Sequence, residues 1–129
     1  MAIVRNADQG LHASDLGATV LQLRDPDATV RALEREATRL VAEAQVPVVV
    51  SARVDLALAV GSAGAHLPEA DIAVTAARRL LGHARLVGRS VHSVSAALEA
   101  EAQGADYVVF GPCSAAPLTP IGRPQGWSR

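Results

Sequence analysis

Short apolar runs rich in β-branched residues alternate along the chain with longer segments that carry apolar residues at helical spacing. The six short runs are Ala2 to Val4, Thr19 to Leu23, Val46 to Val50, Gly64 to Leu67, Leu86 to Gly88 and Tyr107 to Phe110. A strand that is followed repeatedly by a helix is typical of parallel βα units, whose right-handed crossovers place the helices outside one curved sheet. The pattern therefore predicts an α/β fold of the parallel (β/α) TIM-barrel type.

The length of the chain limits how much of a barrel it can form. It has 129 residues, whereas a complete TIM barrel typically needs about 250 and at the least about 200. After Phe110 the sequence alternates prolines and glycines and leaves no room for a further strand. We therefore predict a single domain over residues 1–129 that forms an incomplete barrel of about six of the eight βα units.

The helix after the second strand has the clearest pattern. Asp25 is placed to cap it, Pro26 suits the first helical position, and an apolar stripe runs from Val30 to Ala44. Three further helices are predicted, and each ends at a glycine that suits a C-cap. They run from about Val54 to Val60, from Ile72 to Leu81 and from Val94 to Gln103.

Composition narrows the class of ligand. The formal net charge is -1 and the charged residues are scattered, so no basic stripe offers counterion release to a nucleic acid. All the cationic side chains are arginines, which excludes Schiff-base catalysis and any phosphate site that depends on a lysine. We predict a small polar molecule as the ligand and no nucleic acid as a partner.

The sequence carries no signal for secretion or for a membrane. Cys113 is the only cysteine, so no disulfide forms within the chain, and the chain opens without the features of a signal peptide. The apolar runs are interrupted well before the ~20 residues that a membrane span needs. We expect a cytoplasmic protein with no membrane partner, in which Cys113 is more often packing material than a nucleophile.

Two polar residues leave the second strand on the same side. Alternation along a barrel strand turns Gln22 and Arg24 toward the cavity, with Leu23 opposed to them. A cationic group inside a barrel needs an anionic partner. That partner is either a ligand or a neighbouring carboxylate such as Asp25, and both interpretations stay open.

The fifth strand ends in a second polar cluster. Ser90 and His92 are two residues apart, and the hydroxyl of Ser93 is placed to cap the following helix. An imidazole at the cavity mouth can take up and return a proton near neutral pH, as an isomerase requires. The alternative is a histidine that only bonds a backbone carbonyl.

The fourth strand offers a weaker signal. His66 closes it and is followed by Glu69 and Asp71, which are candidates for a second proton carrier or a carboxylate pair. Asp71 is equally suited to capping the helix that begins at Ile72. No spacing of ligands suggests a structural zinc site.

Taken together, these residues resemble the thiamine phosphate synthase and TenI superfamily, whose members are (β/α)8 barrels of thiamine biosynthesis. The resemblance is ordered along the chain, and the fifth-strand motif is its most specific part. It rests on Val20 to Arg24, Arg53 to Val60, Leu67 with Pro68, Gly88 to Ser93, and Gly104 to Pro112.

The synthases of this superfamily couple a pyrimidine pyrophosphate to a thiazole phosphate with magnesium. The resemblance to them covers Gln22, Arg24, His66, Asp71 and Ser90, with Asp71 as a metal ligand only if the chain is a synthase. Other positions depart from the synthase pattern. Pro26 replaces a lysine, Ser51 and Ala52 replace an Asn and an Asp, and no lysine follows the sixth strand between Cys113 and Gln125.

The TenI branch aromatises a thiazole carboxylate phosphate by proton transfer, which needs neither magnesium nor lysine. The run from Gly88 to Ser93 is similar to that branch, so the resemblance favours a thiazole tautomerase without a cofactor. It implies His92 as the acid and base, assisted by Ser90. The substrate-binding residues that we expect are Gln22, Arg24, His66, Ser51 and Gly111.

Two alternatives stay open beside the tautomerase. One is a thiamine phosphate synthase that uses Mg²⁺ and takes its missing contacts from a partner chain. The other is a catalytically silent barrel that acts only by association, because the edges of an open sheet tend to pair with another molecule. We expect a homo-oligomer formed through these edges, and a single pocket at one rim where His92, Arg24 and Gln22 converge.

Overall fold

Six strands and five helices alternate in the computed structural model, which describes residues 1–110 of the chain. The strands are β1 (Ala2–Val4), β2 (Leu21–Leu23), β3 (Val48–Ser51), β4 (Gly64–Leu67), β5 (Leu86–Val91) and β6 (Tyr107–Phe110). The helices are α1 (Ala7–Asp15), α2 (Val30–Glu43), α3 (Val54–Val60), α4 (Val74–Leu81) and α5 (Val94–Ala102).

The strands form one parallel sheet in the order β1-β2-β3-β4-β5-β6. Every neighbouring pair is parallel, so each helix is a crossover between adjacent strands. This confirms the predicted incomplete (β/α) barrel. The prediction was possible because a repeated βα pattern is compatible with few other topologies.

Alternation along the strands separates an apolar surface from a polar one. The residues that pack against the helices are Leu21, Leu23, Val48, Val50, Ala65, Leu67, Val87 and Val91. The residues between them turn to the other surface, which corresponds to the barrel interior. That interior surface carries Gln22, Val49, Ser51, His66, Gly88, Ser90 and Tyr107.

The predicted start of α2 is wrong. The helix begins at Val30, and its N-cap is Thr29, whose hydroxyl accepts a hydrogen bond from the amide of Ala32 at 3.1 Å. Asp25 instead accepts from the amide of Asp27 and from Arg5, so its carboxylate closes a turn ahead of the helix. A local Asx turn competes with capping for the same side chain, and here it prevails.

Other predicted boundaries hold with small shifts. Ser93 caps α5 by accepting from the amide of Ala96, and α3 ends at Gly61 in the left-handed conformation. Asp71 does not cap α4, which starts at Val74, because its carboxylate bonds the adjacent amide of Ile72 at 2.7 Å. The fifth strand reaches Val91 rather than ending at Gly88.

The two ends of the sheet are β1 and β6, each paired on one side within residues 1–110. Association of two copies through these edges stays a prediction. No helix in the described part of the chain is long and apolar enough to cross a membrane. The predicted single domain over residues 1–129, and the roles of Gly111 and Cys113, extend to positions outside the described residues.

Candidate functional site

A row of four residues crosses the interior surface from β3 to β6. Ser51 is in register with His66, His66 with Gly88, and Gly88 with Tyr107. Residues in register on parallel strands lie side by side on the same face of the sheet. The row therefore places an imidazole and a phenol on either side of a residue without a side chain.

Gly88 is what allows these two rings to meet. A Cβ atom at this position would lie 2.1 Å from Cζ of Tyr107 and 2.4 Å from its hydroxyl oxygen. The phenol thus lies directly over the backbone of β5. Its ring stacks on that of His66, with centroids 5.6 Å apart and an interplanar angle of 29°.

His66 is the centre of the hydrogen-bond network in the interior. Its side chain is buried, with the whole residue 3% exposed. The Nδ1 atom lies 3.1 Å from the hydroxyl of Tyr107, and the Nε2 atom lies 2.7 Å from the hydroxyl of Ser90. Both ring nitrogens therefore have a hydroxyl partner, which holds the imidazole in one orientation.

Burial keeps this network uncharged at neutral pH. Loss of solvent, with a smaller contribution from the positive charge of Arg89, lowers the pKa of His66 to about 4. Loss of solvent also raises the pKa of Tyr107 to about 12, with Asp106 adding to the effect. The interior presents neutral donors and acceptors rather than charges.

Gln22 joins this surface from β2. It is 3% exposed, and its amide nitrogen lies 3.7 Å from the sulfur of Met1. The same sulfur lies 3.9 Å from the hydroxyl of Tyr107. A thioether is a weak acceptor, so these contacts fill space more than they bind.

Arg24 lies past the end of β2 and is exposed. The open alternative of a salt bridge to Asp25 is wrong, because Asp25 pairs with Arg5 at 3.0 Å, and that hydrogen bond lowers the pKa of the Asp25 carboxyl. Among residues 1–110, no side chain or backbone group bonds the Arg24 guanidinium. Its charge is therefore available to an anionic ligand.

His92 occupies a different environment from His66. Its side chain is 59% exposed, and its Nδ1 atom makes a short contact with the carboxylate of Glu69 in the β4–α4 loop. The hydrogen bond from His92 lowers the pKa of Glu69. Within the described residues no hydrogen bond or ion pair joins His92 to Gln22 or Arg24, and their convergence around one pocket stays a prediction.

Arg89 is a residue that sequence reasoning missed. It lies between Gly88 and Ser90 but points to the helix side of the sheet, where it is 8% exposed. Its guanidinium donates to the carbonyl oxygens of Pro68 at 2.5 Å and Ile72 at 2.6 Å. A charged residue at an outward position of a buried strand was the available signal.

Arg89 also borders a cavity of about 270 Å³ between the β4–α4 loop and α5. The cavity lies on the helix side and is separate from the His66 network. Its polar lining consists of Glu69, Asp71, Arg89, Glu99 and Gln103. The amide oxygen of Gln103 is already occupied by the backbone of Val74.

Comparison with known proteins connects this polar surface to a family. A family profile described as TMP-TENI, thiamine monophosphate synthase, matches residues 3–129. The chain belongs to the thiamine monophosphate synthase family. Gln22, His66 and Ser90, which the resemblance selects, lie on the interior surface of this family member, and His66 and Ser90 are hydrogen-bonded.

Relatives in the thiamine monophosphate synthase family are themselves named as synthases. A thiamine-phosphate synthase of Chloroflexus aurantiacus is 44% identical over 107 residues, covering 81% of this chain and 49% of that protein. One from Caldanaerobacter subterraneus subsp. tengcongensis is 43% identical over 110 residues, with coverage of 81% and 50%. The chain spans about half the length of these relatives. Their names do not support the predicted closeness to the TenI branch.

One solved structure agrees with this assignment, and a second shares only the fold. Thiamine phosphate pyrophosphorylase from Pyrococcus furiosus matches with a TM-score of 0.71 and 33% identity, covering 79% of this chain and 52% of that one. A putative phosphonomutase from Burkholderia cenocepacia matches with a TM-score of 0.64 at 17% identity, which shows the fold alone.

The magnesium donors of the synthase pattern are incomplete in this member of the thiamine monophosphate synthase family. Ala52 stands where the pattern has an Asp, and its methyl group offers no ligand. Its backbone nevertheless has φ 67°, a left-handed conformation that Asn and Asp adopt more readily than Ala. In residues 1–110, no group of three or more His, Cys, Asp or Glu could hold a metal ion. Among the described residues, the set that the resemblance assigns to the ion therefore lacks one carboxylate.

Proposed function

We propose that this chain acts in thiamine biosynthesis as a protein of the thiamine-phosphate synthase type, which binds a thiazole phosphate and a pyrimidine pyrophosphate and couples them. The observation that carries the proposal is the hydrogen bond between His66 and Ser90 on an uncharged interior surface. The names of the relatives support the synthase over the tautomerase.

The charge distribution of the site suits the two parts of thiazole phosphate, its uncharged ring and its phosphate group. The neutral imidazole, hydroxyl and carboxamide groups of the interior suit an uncharged heterocycle, because burying an unpaired charge there is costly. The exposed guanidinium of Arg24 suits the phosphate, which an arginine binds through two parallel hydrogen bonds. The ring would then lie inside and the phosphate at the rim.

The departures from the synthase pattern affect the reaction more than the binding. Pro26 and Ala52 remove a cation and a carboxylate from the surroundings of the pyrophosphate. We derive no step through magnesium, since its donor set is incomplete. We expect binding of thiazole phosphate to be retained and coupling to be slow, because charge neutralisation of a departing pyrophosphate supplies much of such catalysis.

Calorimetric titration with thiazole phosphate tests the binding. Arg24→Ala should weaken the affinity about tenfold or more, as loss of a charge-assisted contact does. Arg31→Ala is the matched control, because it removes an exposed arginine from α2 and should leave the affinity unchanged. Failure of the unmodified protein to bind thiazole phosphate would overturn the proposal.

The coupling is followed by the appearance of thiamine phosphate from both substrates with Mg²⁺. Product that depends on both substrates supports the synthase activity. Binding without any product would reduce the proposal to a substrate-binding protein. Absence of both, together with self-association in sedimentation, would favour the silent barrel that acts only through another chain.

The second candidate is the thiazole tautomerase, and one contact favours it. The carboxylate of Glu69 bonds the imidazole of His92, which orients the ring and suits it to proton transfer. Aromatisation of the thiazole carboxylate phosphate is followed by absorbance, with His92→Ala as the variant. Equal rates in both proteins would remove His92 from the reaction.

A further inference from the structure

We propose that Tyr107 is a positioning residue, which fixes the tautomer of His66 and thereby directs the hydroxyl hydrogen of Ser90 toward the barrel mouth. The expected effect of this arrangement on ligand binding rests on the proposed function. The arrangement of the three side chains does not, since it is a property of the ligand-free protein.

The geometry limits what the three groups can do. Tyr107 reaches Nδ1 of His66 only because Gly88 leaves the space between them open. Ser90 lies on the opposite ring nitrogen, at 2.7 Å from Nε2. The imidazole thus has one hydroxyl at each end, and each hydroxyl can either donate to the ring or accept from it.

Counting protons leaves two arrangements. A neutral imidazole carries one N–H and one bare nitrogen, so one hydroxyl donates to the ring and the other accepts from it. In the first arrangement Tyr107 donates to Nδ1, and the N–H at Nε2 donates to Ser90. In the second the directions are reversed, and Ser90 donates to Nε2.

The first arrangement is favoured by the acidity of the donors. A phenol is a stronger acid than an aliphatic hydroxyl, and it makes the stronger hydrogen bond to a bare imidazole nitrogen. The competing acceptor for Tyr107 is the sulfur of Met1, which is farther away at 3.9 Å and is a weak acceptor. Tyr107 therefore donates to His66, and the proton of the imidazole is at Nε2.

The direction of the hydrogen bonds from Tyr107 through His66 decides whether Ser90 can donate its own hydrogen to a ligand. Its oxygen accepts from Nε2 of His66, so its own hydrogen is free to point away from the ring. The half-buried hydroxyl then presents a donor on the interior surface. A ligand acceptor facing Ser90, such as a ring nitrogen or a phosphate oxygen, would receive this hydrogen.

Nitrogen-15 NMR of the His66 imidazole in the ligand-free protein distinguishes the two tautomers. We expect the Nε2–H form in the unmodified protein. Tyr107→Phe keeps the ring over Gly88 but removes the donor, so the population of the Nδ1–H form should rise. Ser90→Ala should leave the Nε2–H form in place, because Tyr107 still donates to Nδ1.

Two results would overturn the proposal: an Nδ1–H form in the unmodified protein, or an unchanged tautomer in Tyr107→Phe. A cooperative unfolding transition and an unchanged amide spectrum outside the network check that Tyr107→Phe is folded. In calorimetry, Tyr107→Phe should weaken thiazole phosphate binding about fivefold to tenfold. If the unmodified protein binds no thiazole phosphate, the proposed function fails while the tautomer result still decides the role of Tyr107.

Discussion

The Nε2 atom of His66 lies 2.7 Å from the hydroxyl oxygen of Ser90, although the two residues come from different strands. His66 belongs to β4 and Ser90 to β5, and both turn to the interior surface of the sheet. The sequence predicts His66 and Ser90 as candidates on two different strands, and the hydrogen bond joins them. It makes the uncharged imidazole part of a polar surface rather than an isolated buried group.

The first prediction concerns stability against pH. The pKa of His66 falls from 6.5 to about 4 in the folded chain, so between these values only the unfolded chain takes up the proton. The stability from the neutral imidazole is fully present above pH 6.5 and is lost as the pH falls toward 4. The free energy of unfolding should drop by about 3 kcal/mol across this window because of His66.

Urea unfolding at a series of pH values measures this drop, and His66→Gln should reduce it. His83→Gln serves as the control, because it removes an exposed histidine outside the network, and the drop that depends on His66 should persist in this variant. Identical slopes for the unmodified protein and His66→Gln would contradict the buried neutral state.

The second prediction tests the space over Gly88. Gly88→Ala should destabilise the protein by about 1 to 3 kcal/mol, since the added methyl meets the ring of Tyr107. In the background of Tyr107→Val the same substitution should cost much less, because the smaller side chain leaves room. Additive effects in this double-mutant cycle, measured by thermal unfolding, would show that the two positions do not touch.

The third prediction follows from the backbone at Ala52. Its φ of 67° is unfavourable for a residue with a Cβ atom, so Ala52→Gly should stabilise the protein by about 0.5 to 1 kcal/mol. Ala76→Gly, in the interior of α4, should destabilise by about 1 kcal/mol. Denaturant midpoints report both, and a loss of stability in Ala52→Gly would argue against the left-handed conformation.

The fourth prediction concerns the β4–α4 loop. Arg89→Met leaves the carbonyl oxygens of Pro68 and Ile72 without their donor, so stability should fall by about 2 to 4 kcal/mol. Amides of the loop should exchange faster with solvent. Arg79→Met removes an exposed arginine and should change neither quantity. Unchanged exchange in Arg89→Met would exclude its role in holding the loop.

Much of the fold could be predicted because periodicity alone specifies it. β1, β4, β6 and α3 have the predicted limits. The last three are each followed directly by a proline or a glycine. The start of α2 could not be predicted, because Asp25 suits both a cap and a turn. Its choice depends on Arg5, which is distant in sequence and contacts it only in the folded chain.

The candidate site was predicted only in part. Strand alternation placed Gln22 on the interior surface, whereas His66 was selected by its position near a strand end and by the family resemblance. Tyr107 was missed as a partner of His66, because a tyrosine in a strand usually packs against its neighbours. The space over Gly88 becomes apparent only when the register of β4, β5 and β6 is known. The partner of His92 was also missed, since Glu69 lies in a loop whose path the sequence does not specify.

The neighbouring residues Arg89 and Ser90 make β5 contribute to both faces of the sheet, so its two roles depend on the same strand register. Arg89 holds the β4–α4 loop on the helix side of the sheet, and Ser90 bonds His66 on the interior surface. A shift of β5 by one residue would turn Arg89 to the interior and Ser90 to the helix side. Correct pairing of β5 is therefore a condition for an ordered loop and for a competent interior alike. A variant that weakens the pairing of β5 should therefore impair both together.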